Sequence, residues 1–322
     1  MIHLGGLDHC LHCFSNDVWM PGLVNWPKVF NGEVRHYEHV SKEEIESADI
    51  IYINLTGVDR ELPRLVRKLI GWSTSTKVVA SLDYSVEIMQ RVPQSMTLYD
   101  LVEAMKNVDL FFAVEPGQWR FLTWLHKMVY DKTRFRKIPL IPHPVPTHVL
   151  KTYKSSNKVD FIAVHFHRYD RQTMVPAVIL HDLPIHVMLV GYNLSLPTVP
   201  EGYDGILFYD TTWRRYINFV RYAKIGFEYV NMHVLGRFSL EMACLGIPVV
   251  GTKLSFGNLV CFREISHNPW SFNKLRESVE KLLSSDKFYQ EVVDFASQRV
   301  EYFNYRNSRE RLLKSLETLV KS

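Results

Sequence analysis

Short apolar segments of strand length alternate with segments of helix length from one end of this chain to the other. "IHLGGL", "GEVRHYEHV", "ADIIYINL", "KVVASLD" and "DLFFAV" read as strands in the first half. "ELPRLVRKLIGW", "LYDLVEAMK" and "GQWRFLTWLHKMVY" read as the helices among them. That alternation is the signature of a parallel sheet covered by helices on both faces. The rhythm breaks at "KIPLIPHPVPTH", where four prolines fall between Ile138 and His148. Proline fixes φ and removes a donor, so this stretch is neither mid-helix nor a central strand, and it reads as an extended connector.

The pattern restarts beyond it. "VDFIAVHF", "IHVMLVGY", "GILFYD" and "KIGFEYV" read as strands, and "QTMVPAVILHD" and "TWRRYINFVRYA" as helices. From Ser271 to the end the chain reads as helical. The expected fold is therefore α/β, with two Rossmann-like domains facing across a cleft, residues 1–145 and residues 146–322. The final helix is assigned to the second domain, with the option of crossing back to the first. Such domain pairs bind ligands at the carboxyl ends of their strands.

Within the second domain, "HVLGRFSLEMACLGIPVVGT" (His233 to Thr252) reads as loop, helix, tight turn and buried strand. Gly236 precedes the helix, Gly246 follows it and Pro248 lies just beyond, which bounds it at both ends. Phe238, Glu241, Met242 and Leu245 share one face; Leu240, Ala243 and Cys244 cover the other, so the helix is expected to be buried on both sides. Glu241 is its one carboxylate, and a buried charge needs partners. Two partners fit: Arg237 one turn back, as an i,i+4 ion pair, or ligand hydroxyls such as those of a ribose, with the free amides of the first turn and Arg237 turned to a phosphate.

These residues resemble the nucleotide-binding motif of GT-B glycosyltransferases, in which a Gly, four residues and a Glu open a helix followed by "E-A-M-A-C-G-x-P-V-V". Gly236, Glu241, Met242, Ala243, Cys244, Gly246, Pro248, Val249 and Val250 fit, with Leu245 inserted before the Gly. "KIPLIPHPVP" is similar to the family's linker into the donor domain, and "LVGYN", with Gly191, to its "VGxG" turn beside the base. The resemblance covers about the last 180 residues and implies a nucleoside-diphosphate sugar as donor, with Glu241 holding the ribose. Many retaining members carry another Glu eight residues earlier; here that position is His233, a departure from the pattern.

The resemblance also assigns the loop "VHFHRYDRQT". In the family this loop carries basic residues that neutralise the donor diphosphate; Arg168 matches, Thr173 stands where a Lys is expected, and Arg171 lies two residues before it. Guanidinium groups suit that task because they bind phosphate bidentately and stay charged. His165 and His167 read as packing residues rather than ligands. An inverting transfer needs a general base near the end of an N-domain strand; Asp83, after "KVVASL", is the first candidate, Glu115 the second, and Asp8 with His9 the third. A more distant resemblance to the DNA β-glucosyltransferases of T-even phages, where a similar strand ends in the catalytic Asp, points to Asp83 as well. No Asp-x-Asp motif is present, so no metal and no cofactor are expected.

Composition sets the remaining bounds. At 47% hydrophobic and 22% charged residues, the chain has the make-up of a folded, soluble protein. No apolar run approaches the roughly 20 residues of a membrane span, and "MIHLGG" lacks the features of a signal peptide; a cytoplasmic protein with no integral membrane segment is expected. Before Pro146 there are 16 basic and 17 acidic residues, and from it onward 22 and 17, which suits a small anionic ligand in the second half. Cys10 and Cys13, interleaved with His9 and His12, lack a second pair at zinc-site spacing and read as small buried residues in a loop after the first strand rather than as a metal site or redox pair.

The leading expectation is thus a metal-independent, hexosyltransferase-type glycosyltransferase. A sugar-nucleotide epimerase of the same fold and a non-enzymatic binding or structural protein are the alternatives. The acceptor stays open among a glycan, a lipid-linked sugar, a protein and modified bases in DNA. Basic stretches in "RELPRLVRKLIGW" and "KTRFRK" bear on that choice, and Trp119 and Trp124 are expected in the core rather than as sugar platforms.

Overall fold

A computed structural model describes residues 1–5, 25–36, 39–55, 75–82, 87, 97–166, 174–194, 199–209 and 213–320. The chain divides into two compact units, one of Met1–Val145 with Phe303–Ser322 and one of Pro146–Tyr302. Among the described residues, each unit contains one sheet, and every strand pairing in both sheets is parallel.

In the first unit β1 (Ile2–Gly5), β2 (Glu33–His36), β3 (Ile50–Leu55), β4 (Lys77–Leu82) and β5 (Leu110–Phe112) lie in the order β2-β1-β3-β4-β5. Successive side chains of a strand point to opposite faces, and both faces here are apolar. Ile51, Ile53, Val78, Ala80 and Phe111 pack in one core with Leu101 and Met105 of helix Leu98–Asn107 and with Leu122 and Leu125 of helix Pro116–Val129. Tyr52, Val79 and Phe112 pack in another with Trp26 and with Leu312 and Leu316 of the terminal helix Tyr305–Val320. Burying both faces is what makes these strands near-continuous hydrophobic runs rather than alternating ones.

Among the described residues the α-helices are, in chain order, α1 (Trp26–Val29), α2 (Lys42–Ser47), α3 (Leu98–Asn107), α4 (Pro116–Val129), α5 (Thr147–Leu150), α6 (Met174–Leu180), α7 (Trp213–Val220), α8 (Arg237–Leu245), α9 (Phe256–Cys261), α10 (Phe272–Ser284), α11 (Asp286–Arg299) and α12 (Tyr305–Val320). Sequence reasoning passed over α2, although Ser41 and Glu44 form a capping box that marks its start. The helix expected over "ELPRLVRKLIGW" lies outside the described residues. Gln118, Leu122, Leu125 and His126 form the buried face of α4. That spacing turns Trp119 and Trp124 outward, 41% and 54% exposed, so the expectation that they belong to the core is corrected.

The proline-rich connector runs beside the edge strand β5. Ala113 N–H donates to Pro139 O at 3.0 Å, and Ile141 N–H donates to Ala113 O at 2.8 Å. Prolines are tolerated there because the segment closes an edge and pairs on one side only.

The second unit holds β6 (Val159–His165), β7 (His186–Leu194), β8 (Gly205–Tyr209), β9 (Ala223–Glu228), β10 (Val249–Thr252) and β11 (Ser266–His267), ordered β11-β10-β9-β6-β7-β8. Counted from the first strand of the unit this is the 3-2-1-4-5-6 order of the dinucleotide-binding fold. The strand order reverses between β6 and β9. Among the described residues no helix is long and apolar enough to cross a membrane.

Candidate functional site

The reversal point of such a sheet, at the carboxyl ends of its two central strands, is where ligands bind in this architecture. Here β6 ends on His165 and β9 on Glu228. Both are buried, Glu228 completely. Its Oε2 accepts hydrogen bonds from Ser239 Oγ at 2.6 Å and Ser255 Oγ at 2.7 Å, and His165 Nδ1 lies 3.5 Å from Oε1. The His165 ring stacks on Phe238 with centroids 4.6 Å apart and planes 5° from parallel. Glu228 was not singled out from the sequence. Its only signal there is a carboxylate closing the apolar run "KIGFE".

Ser239 and Phe238 belong to α8, whose start is set by Gly236 at φ 78°, ψ 51°. A side chain is disfavoured at that φ, and a Cβ there would collide with Ser255 Oγ. Gly246 ends the helix in the same left-handed region, at φ 68°. Every residue between Phe238 and Leu245 is buried, as the two-sided apolar pattern requires. Gly236→Ala is expected to cost about 2–4 kcal/mol, from the backbone penalty and the collision together. Urea unfolding measures it, and a loss under about 1 kcal/mol would mean that the loop relaxes around the new methyl.

Glu241, 1% exposed, sits in the middle of α8. Trp213 Nε1, from the first residue of α7, donates to its Oε1 at 3.0 Å, and Arg237 Nε lies 3.6 Å from the same oxygen. Burial pushes the Glu241 carboxyl up to about 7, against the opposing pull of Arg237, Trp213 and Tyr216. The group therefore changes charge near neutral pH, where either form is accessible to a ligand. The i,i+4 pair read from the sequence is present, and Trp213 is a partner that the sequence, 28 residues apart, did not reveal.

The other expected residues are placed as follows. Gly191 is buried within β7 rather than in a turn, next to a shift in the β7–β8 register between Val190 and Leu194. His233 is half-buried in the loop before α8. Glu115, in the first unit, is buried and caps α4, its two oxygens accepting from Gly117 N–H and Gln118 N–H, each at 2.6 Å. Arg168, Arg171, His167, Asp83, Asp8, His9, Cys10 and Cys13 lie outside the described residues.

No family model matches the sequence, and no curated protein matches it. Solved structures do match. A UDP-forming α,α-trehalose-phosphate synthase from Burkholderia xenovorans superposes with a TM-score of 0.66 at 13% identity, covering 98% of this chain and 86% of its own. An α-glucosyltransferase, solved with UDP and a 13-mer DNA containing an HMU base, gives 0.65 at 12% identity and covers 99% of this chain and 98% of its own. A sucrose-phosphate synthase from Thermosynechococcus elongatus gives 0.62 at 13% identity, over 85% and 74%. With two parallel Rossmann-like sheets and these neighbours, the chain has the fold of the GT-B glycosyltransferases.

Proposed function

We propose that this protein is a metal-independent glycosyltransferase that moves a hexosyl group from a nucleoside-diphosphate sugar to an acceptor. The observation that carries the reading is Glu241: a lone carboxylate, buried beside Arg237 on a helix whose other buried side chains, Ser239 excepted, are apolar and which starts directly after a left-handed Gly236. Trp213 and Arg237 both address Oε1, and the ribose hydroxyls of a donor would address Oε2. The first-turn amides of α8 have no acceptor within the helix, and with the helix dipole they favour the donor's phosphate.

In this reading Arg168, Arg171 and Arg237 neutralise the departing diphosphate, a task that dominates the barrier when charge develops on the leaving group. The arginines stand in for a divalent ion. Gly191 lets the nucleotide base approach the β7 backbone. Asp83, the residue that follows β4, takes the acceptor's proton. Glu115 is the weaker candidate for that role because both of its oxygens already accept helix amides.

UDP at a hundred times its Kd is expected to stabilise the fold by roughly 2.7 kcal/mol, and the gain should vanish when Arg168 and Arg171 are both alanine. Thermal unfolding across UDP, GDP, ADP, TDP and CMP checks this, and stabilisation by none of them would overturn the donor site. Asp83→Asn should keep the nucleotide effect and lose about 100-fold or more in transfer. Unchanged transfer would remove Asp83 from the role of base. A DNA acceptor is the second reading, favoured by the neighbour that covers 99% of this chain and was solved with a modified DNA oligonucleotide. Transfer to a duplex carrying a hydroxymethylated base, compared with the unmodified duplex, decides it.

A further inference from the structure

The first unit contains a cavity of about 580 Å³ between the connector, β5 and α12, within the size range of small-molecule sites. Leu110 of β5 and Trp119 of α4 line its apolar part. Arg136 and Lys137 reach it from the connector, and Arg311 and Lys314 from one face of α12. Among the described residues no carboxylate lines it. Trp119 is held in place by its indole N–H, which donates to Ile138 O at 3.1 Å, while its ring stays 41% exposed.

Four cationic side chains around one cavity give it a positive potential that favours an anion between them. Several cations elsewhere in the same unit are matched. Arg306 pairs with Glu310 on the first turns of α12, and Lys77 and Arg134 both lie within ion-pair distance of Asp109. Among the described residues the ammonium groups of Lys137 and Lys314 form no ion pair. The sequence from Lys127 to Lys137 carries five basic residues and one acidic one. An indole ring beside guanidinium and ammonium groups suits a ligand with a flat or apolar body joined to a phosphate.

We propose that this cavity binds a phosphate-bearing ligand with an apolar body, at a site built only from first-unit residues and separate from Glu241 and its neighbours. The phosphate sits among Lys137, Lys314, Arg136 and Arg311, and the body lies against Trp119 and Leu110. A soluble phosphate ester and a lipid headgroup share this chemistry. Trp124 and Met128, 54% and 67% exposed on α4, are apolar surface on the same helix as Trp119.

The test uses the full chain and four probes: 1-naphthyl phosphate, 1-naphthol, duplex DNA, and phosphatidylcholine vesicles with and without phosphatidic acid. Calorimetry is expected to show binding of naphthyl phosphate but not of naphthol, weakened about tenfold or more in Lys137→Glu/Lys314→Glu. Both lysines are exposed, so the double variant should keep the wild-type unfolding midpoint. Glu241→Ala should retain the binding, which separates this site from the donor site. Flotation with the phosphatidic acid vesicles, lost in the double variant, would assign the phosphate to a lipid, and its absence to a soluble ester. Equal affinity of wild type and double variant, or no binding of either phosphate probe, overturns the proposal. Binding of duplex DNA alone would also overturn it, in favour of a nucleic-acid surface.

Discussion

Glutamine at position 241 is expected to stabilise the protein at pH 8 by about 2 kcal/mol and to flatten its stability profile between pH 4.5 and 7. The cause is burial, which raises the Glu241 carboxyl from 4.5 to about 7. Between those values the folded protein holds a proton that the unfolded chain has released. The unfolded state then binds fewer protons, so wild-type stability is full below about pH 4.5, falls as pH rises toward 7, and levels off above it. The upward shift by itself corresponds to about 3 kcal/mol. That shift is already net of the pull of Arg237; part of the gain is offset because the amide brings a second buried N–H donor where the protonated carboxyl has one. Glutamine keeps an oxygen for the Trp213 indole, so the helix packing is preserved.

Urea unfolding of both proteins at pH 4.5, 6 and 8 measures this, and parallel profiles would sink it. The same variant bears on the donor. A carboxylate accepts hydrogen bonds from both hydroxyls of a ribose, whereas an amide offers one acceptor atom. Glu241→Gln should therefore be more stable than wild type yet gain less from UDP. A ligand site whose charge is costly in the empty protein shows that inverse relation of stability and binding.

Glu228→Ala is the opposite case, with an expected loss of about 3–5 kcal/mol. Glu228 is fully buried and gathers two hydroxyl donors and His165 from three different elements. Alanine would leave those groups around a cavity without their acceptor, and each buried polar group deprived of a partner costs on the order of 1–3 kcal/mol. Glu228→Gln keeps an acceptor oxygen and should cost less than half as much. Urea unfolding of both variants checks the order, and an alanine loss below about 1 kcal/mol would show that the cluster is not a structural keystone. The cluster joins the ends of β6 and β9 to α8, so a weakened Glu228 should also blunt any nucleotide effect at Arg237 and Glu241.

Sequence alone determined most of the strands and the longer helices. The strand-length apolar runs "DIIYINL", "KVVASL" and "KIGFE" became central parallel strands because a run without polar alternation can be buried only on both faces. The bounds of α8 were readable from Gly236 and Gly246 because backbone at positive φ admits few other residues. The connector was readable from its prolines for a similar reason, a backbone constraint local to a few residues.

Tertiary structure decided what required distant residues to meet. Strand order put His165 beside Glu228, 63 positions away, and no local pattern encodes that neighbour. The indole partner of Glu241 came from α7, and the tryptophans expected in the core were turned outward by the way α4 docks. The cationic cavity was half legible in "KTRFRK", but its other half comes from α12, some 175 residues later. Local backbone chemistry is written residue by residue, whereas a site is a coincidence of side chains that only the packed sheet and its covering helices bring about.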